Sequence, residues 1–115
     1  MKLGIIGSRT FDNYIVLEEF IKNTLQVDKI ELIVSGDAQG ADKMGAFFAE
    51  RNNIKTLIFP PDWDKHGKAA GFIRNKDIVN NSDIILAFWD GKSKGTRHSI
   101  GLAHKMKKTV IIYYF

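Results

Sequence analysis

The chain has 115 residues, 44% of them hydrophobic and 26% charged, which suits a single domain with one hydrophobic core. It contains no cysteine, so disulfides, thiolate nucleophiles and cysteine-ligated metals are excluded. The formal charge of +4 favours an anionic partner, yet the lysines are scattered, and the one dense group, "KMKK" at 105–108, equally suits a helix C-terminus where cations offset the dipole.

In chain order, five apolar runs alternate with four helix-like segments. The runs are "KLGIIG" (2–7), "IELIVS" (30–35), "IKTLIF" (54–59), "DIILAF" (83–88) and "TVIIYY" (109–114). Each is nearly continuous in apolar residues, as strands covered on both faces are. After the first run, Asp12 is a helix cap, and Tyr14, Leu17, Ile21 and Leu25 recur at helical spacing. The second helix spans about Gly40 to Asn52 and turns Ala41, Met44 and Phe48 inward. The prolines of "PPDWDKHGK" predict a segment without regular structure. The following "AAGFIRNKDIVNN" predicts a third helix with Ala70, Ile73 and Ile78 inward, and Thr96 to Lys107 a fourth, facing the core with Ile100 and Ala103. Strict β-α alternation with short connections predicts an α/β fold, a Rossmann-like doubly wound sandwich with a five-stranded, mainly parallel sheet.

No apolar stretch approaches the roughly 18 residues that cross a bilayer, and Met1-Lys2 leads straight into a strand-like run. No membrane partner is therefore expected, and a cytoplasmic location is.

In a doubly wound sheet, ligands bind outside the carboxyl ends of the strands. Three loops there are rich in small residues: "GSRTF", "SGDAQGAD" and "DGKSKGT". Glycine lets backbone approach a ligand, and free amides at a helix start attract phosphate, although each loop taken singly also reads as a tight turn. None has the spacing of a GxxxxGK[ST] or GxGxxG motif. A phosphate-binding small-ligand domain is as far as these patterns reach.

Together, "GSRTFDN", "SGDAQGAD", "PPDWDKHGKAAGFIRN" and "AFWDGKSKGT" resemble the small YspA/YpsA-like branch of the SLOG (Smf/DprA and LOG) superfamily, from Leu3 to about Val110. The resemblance implies a Rossmann-like domain that senses, sequesters or processes a nucleotide or nucleotide derivative, with no separate cofactor, and a homo-oligomer. It assigns ligand contacts to Gly7, Ser8 and Arg9 in the first motif and to Ser35, Gly36, Gly40, Ala41 and Asp42 in the second. It assigns Arg74 and Asn75 from the third, beside Trp63, Gly67 and Gly71, and Asp90, Gly91, Ser93, Gly95 and Thr96 from the fourth. Asp37 and Gln39 stand where the family's usual "GGARGAD" has a glycine and a basic residue. The similar LOG enzymes, phosphoribohydrolases that cleave a base from a nucleoside monophosphate, carry an Arg in "RKxxM" and a Glu in "PGGxGTxxE". Arg74 aligns with the first, but Ser99 holds the position of the second. The DprA branch binds single-stranded DNA, which leaves nucleic acid open as a partner, although no basic stripe with several exposed aromatics favours it.

Among single residues, Arg9 at a strand end either grips a phosphate or forms a surface salt bridge. Asp42 either meets a ribose hydroxyl or offsets a helix dipole. Asp90 is a general-base candidate or a turn cap, and Asp42 and Arg74 complete the catalytic candidates. Trp63, bounded by prolines, reads as a lid or an oligomer contact, whereas Trp89, continuing a buried strand, reads as core. His66, His98 and His104 lack the spacing and acidic partners of a metal site.

Overall fold

The apolar runs become strands β1 (Lys2–Gly7), β2 (Leu32–Gly36), β3 (Lys55–Phe59), β4 (Ile84–Trp89) and β5 (Thr109–Tyr114) in a computed structural model that describes residues 1–115. Between them lie helices α1 (Tyr14–Thr24), α2 (Ala41–Arg51), a single turn α3 (Trp63–His66), α4 (Ala70–Asn80) and α5 (Lys94–Lys105). Every strand pair is parallel, and the order across the sheet is β3-β2-β1-β4-β5. The chain thus steps outward from β1 on one side, returns, and continues on the other.

That return sends the crossover helices to opposite faces. Leu17 and Ile21 of α1 and Phe48 of α2 pack with Leu3, Ile5, Ile33 and Phe88 on one face. Ile78 and Val79 of α4 and Ile100 and Ala103 of α5 pack with Ile6, Val34, Ile85 and Ala87 on the other. The two-residue period of a strand divides β1 between these layers. The central strands β1, β2 and β4 are buried on both sides, while β3 and β5 are only half-covered edges.

Several expected boundaries shift for local reasons. The N-cap of α1 is Asn13, whose side chain accepts from the Val16 amide at 3.2 Å, so Asp12 stands one residue outside. Helix α5 begins at Lys94, before Thr96, because Ser93 caps it. The proline-bounded segment is not without regular structure: Asp62 lies beyond both prolines and accepts from the Lys65 amide at 3.1 Å, nucleating α3. Ile73 is 39% exposed instead of inward. Arg74 and Asn75 occupy the inward turn between Ala70 and Ile78, and Ile73 is rotated out.

Candidate functional site

Strands β1 and β4 run side by side to Gly7 and Phe88, and beyond that pair their loops part because one crossover leads to each face. A cavity of about 460 Å³ opens between them. Its lining includes Gly7, Ser8 and Arg9 after β1, Asp42 from the first turn of α2, and Arg74 and Asn75 from α4. Asp90, Ser93, Gly95 and Thr96, from the loop after β4 and the start of α5, close the far wall. Ten of the predicted residues therefore meet at one place.

Five others stand behind the wall. Ser35 donates its hydroxyl to the Ile5 carbonyl at 2.6 Å, inside the sheet. Ala41 is fully buried against β1. At Gly40, with φ of 79°, a Cβ would lie 2.6 Å from the Ser8 carbonyl, so this glycine seats the start of α2 against the first loop. Gly36 leaves the space into which Arg74 and Asp42 reach. Gly91 forms a turn at φ of 80° and faces open space.

The charged residues differ sharply in how they are held. The Asp42 carboxyl is nearly buried, and burial pushes its pKa up to about 6 against the pull of Arg74 and of the Ala38 amide, which donates to it at 3.3 Å. Burial likewise lowers the pKa of the Arg74 guanidinium; the nearby Asp42 opposes this and Arg9 adds to it. Arg74 donates to the Asn75 side-chain oxygen at 3.0 Å and reaches the Phe59 carbonyl at 3.5 Å. The molecule's ion pairs join Met1 to Glu31, Glu18 to Lys22 and Arg51, and Asp37 to Lys43. Neither Arg9 nor Arg74 belongs to any of them.

Asp90 holds a turn. One of its carboxylate oxygens accepts from the amides of Ser93 and Lys92, each at 2.8 Å, and these bonds keep the group below its ordinary pKa. An ionised, weakly basic carboxylate suits that role better than proton abstraction. Behind it Ser93 caps α5, accepting from the Thr96 amide at 3.4 Å, while the Lys94 and Gly95 amides of the first turn have no acceptor within the fold.

Sequence reasoning missed part of the lining. Lys68, Phe72, Thr10 and Ala38 all face the cavity; Ser99, already singled out by its alignment with the LOG glutamate, also lines it and is 2% exposed. Phe72 packs against His98 with ring centres 4.5 Å apart and planes tilted by 59°, and a His98 ring nitrogen lies 3.4 Å from the Asn75 amide nitrogen. The only signal for Phe72 was a position beside Arg74 that periodicity did not need for the core. Lys92 and Lys94, the lysines of "DGKSKGT", point elsewhere. Trp63 lines the cavity while 54% exposed. Trp89 packs with the second core layer, donating to the Ser93 carbonyl at 3.1 Å, as expected of a core residue. No helix is long and apolar enough to cross a membrane.

A family profile described as YspA, cpYpsA-related SLOG family matches residues 1–66, which hold the first two glycine loops and Trp63. Over 114 residues the chain is 34% identical to the Gene 61 protein of Mycobacterium phage D29, an alignment covering 93% of this chain and 91% of that one. No solved structure matches.

Proposed function

The chain belongs to the YspA, cpYpsA-related SLOG family, and from that premise we propose that it binds a nucleotide or nucleotide-derived anion in the cavity between the β1 and β4 loops. One observation carries the reading: Arg9 and Arg74 line a single cavity, the charge of Arg9 adds to the burial that lowers the Arg74 pKa, and neither forms an ion pair in the fold, the nearby Asp42 carboxyl lying outside salt-bridge contact. A half-buried guanidinium beside a second one is costly until an anion joins them, and a phosphate accepts from both in bidentate fashion. The free amides at the start of α5 add donors on the opposite wall. Asn75, tied to Arg74 and to the Gly95 carbonyl at 3.4 Å, holds the two walls in register.

Calorimetric titration of nucleotides tests this. Hydrogen bonds to charged groups are worth roughly 1.5–3 kcal/mol, so Arg9→Ala and Arg74→Ala are each expected to weaken binding by about tenfold or more with the fold intact. Unchanged affinity in both variants removes the pocket from consideration.

A second reading, hydrolysis of an N-glycosidic bond, has one observation in its favour: Asp42 faces the cavity with a pKa of about 6, within reach of general-base work at neutral pH. Against it, Ser99, which aligns with the glutamate of the LOG enzymes, puts a neutral hydroxyl in the cavity wall. Little free base is therefore expected from nucleoside monophosphates in the same titrations. Release that Asp42→Asn abolishes would establish turnover. The expected self-association rests on α4 and the loop carrying Trp63, where Ile73 is 39% and Trp63 54% exposed; a monomer by light scattering, on the order of tens of micromolar, would remove it.

A further inference from the structure

Lysines that are scattered along the sequence gather on one surface of the fold. After Asp90 the chain carries six of its 17 lysines and arginines and none of its 13 acidic residues. From this segregation we infer that the outer face of α5 docks on a nucleic-acid duplex, gripping its phosphates without reading its bases. Helix α5 buries Thr96, Ser99, Ile100 and Ala103, and its other side turns Lys94, Arg97, Gly101, His104 and Lys105 to solvent. At about 3.6 residues per turn these five fall within an arc of roughly 100°, a stripe along about 18 Å of helix. Lys92 just before the helix and Lys107 just after it are exposed too and extend the stripe. None of these cations joins an ion pair.

The helix dipole does not account for the pattern. It favours cations in the last turn, where His104 and Lys105 stand, but opposes Lys94, which opens the helix with no acidic residue in the first turn. Lys92 and Lys94 do not line the β1/β4 cavity, so an anion held there does not account for them either. A protein or membrane partner is anchored by apolar and aromatic side chains, and α5 exposes no large hydrophobic residue. Single strands are held in large part by stacking on aromatic rings, which the stripe also lacks. A duplex needs only the cations: it presents about one negative charge per 1.7 Å of axis and binds through phosphate contacts that release its counterions. At Gly101, near the centre of the stripe, nothing stands within 4 Å of where a Cβ would lie, so a phosphodiester can approach the helix itself. The Arg97 guanidinium lies over the Trp89 ring, 5.6 Å from its centre, which fixes it for a phosphate.

Fluorescence anisotropy of the full chain with a short labelled DNA duplex of arbitrary sequence tests this. At about 50 mM salt, binding on the order of micromolar is expected, and neutralising four or five phosphates gives affinity a log–log salt slope of about −4. Lys92→Ala, Lys94→Ala and Lys105→Ala combined remove three cations that lie outside the cavity and outside every ion pair. That variant should bind about tenfold or more weakly, with a slope shallower by about 2 to 3. Lys2→Ala, Lys29→Ala and Lys55→Ala combined make the same change in net charge at exposed positions before or at the starts of β1, β2 and β3. Affinity there should change by about twofold or less. Absence of binding at low salt overturns the inference. Equal losses in the two variants overturn it as well, since net charge alone would then be responsible. A single strand that competes as well as the duplex removes the duplex from the assignment, and poly-glutamate that does so transfers the surface to an acidic protein.

Discussion

The loops after β1 and β2 and the loop after β4 are alike in sequence and opposite in construction. A Cβ added at Gly7 would lie 2.5 Å from the Phe88 carbonyl oxygen and 2.6 Å from the Ala41 side chain, and one at Gly40 would press on the Ser8 carbonyl. At Gly91 and Gly95 an added Cβ meets nothing within 4 Å. The first set of glycines lets a helix and two loops close on the end of β1. The second stands at the edge of empty space. Small residues at strand ends therefore report two separate requirements, close internal packing and room for something external, which only the three-dimensional neighbours tell apart.

The packed side should break most severely. In Gly7→Val the new side chain meets a backbone carbonyl and a fully buried helix residue, neither of which can swing aside. Overpacking of this kind costs about 3 kcal/mol, measurable by urea denaturation. A loss within about 0.5 kcal/mol would mean that the β1 end is looser than its contacts indicate.

Asp42 sharpens the same contrast through pH, because it is the charge that the packed side has enclosed. Its carboxyl titrates near 3.8 when unperturbed and at about 6 in the fold. Well below pH 3.8 it is protonated in both states and costs nothing. Between those values the unfolded chain ionises first, so stability falls as pH rises, and above about 6 the full penalty applies. The gap corresponds to roughly 3 kcal/mol, and roughly 2 kcal/mol is expected after relaxation of the site. Asn keeps an oxygen for the Ala38 amide. Asp42→Asn should therefore stabilise the ligand-free protein at pH 8 and have almost no effect well below pH 3.8. An equal effect at both pH values would show that Asp42 ionises as easily folded as unfolded.

Much of this arrangement was legible in the sequence. Continuous Ile, Leu and Val runs mark the buried strands, and the rule that doubly wound sheets bind at strand carboxyl ends draws the three loops together from sequence alone. The divided role of the glycines was not legible, because a Cβ clash depends on neighbours remote in the chain: Gly7 is limited by Ala41 and Phe88. Helix periodicity also misled at α4. It counts apolar residues, and here the inward turn is given to Arg74 and Asn75, so Ile73 was turned the wrong way. On the proposed reading, the displaced hydrophobe and the polar pair that displaced it are two signs of one demand, because a binding site would take helix positions that a core would otherwise fill.

The smallest expected effect separates the two sides most cleanly. Gly95 lies in the first turn of α5 without a positive φ, and nothing within the fold occupies the space a Cβ would fill. By helix propensity alone it is a poor choice, since glycine costs up to about 1 kcal/mol relative to alanine inside a helix and less in the first turn. Gly95→Ala should therefore stabilise the ligand-free protein by about 0.5 kcal/mol, a rise of a few degrees in Tm. The same methyl group projects where a phosphate would approach the free amide, so nucleotide affinity should fall as stability rises. Opposed signs are the signature of a glycine kept for a ligand. If stability rose and affinity held, this glycine would have no part in binding and the open side of the comparison would lose its meaning; if stability fell, the space beside Gly95 would be filled by the protein itself.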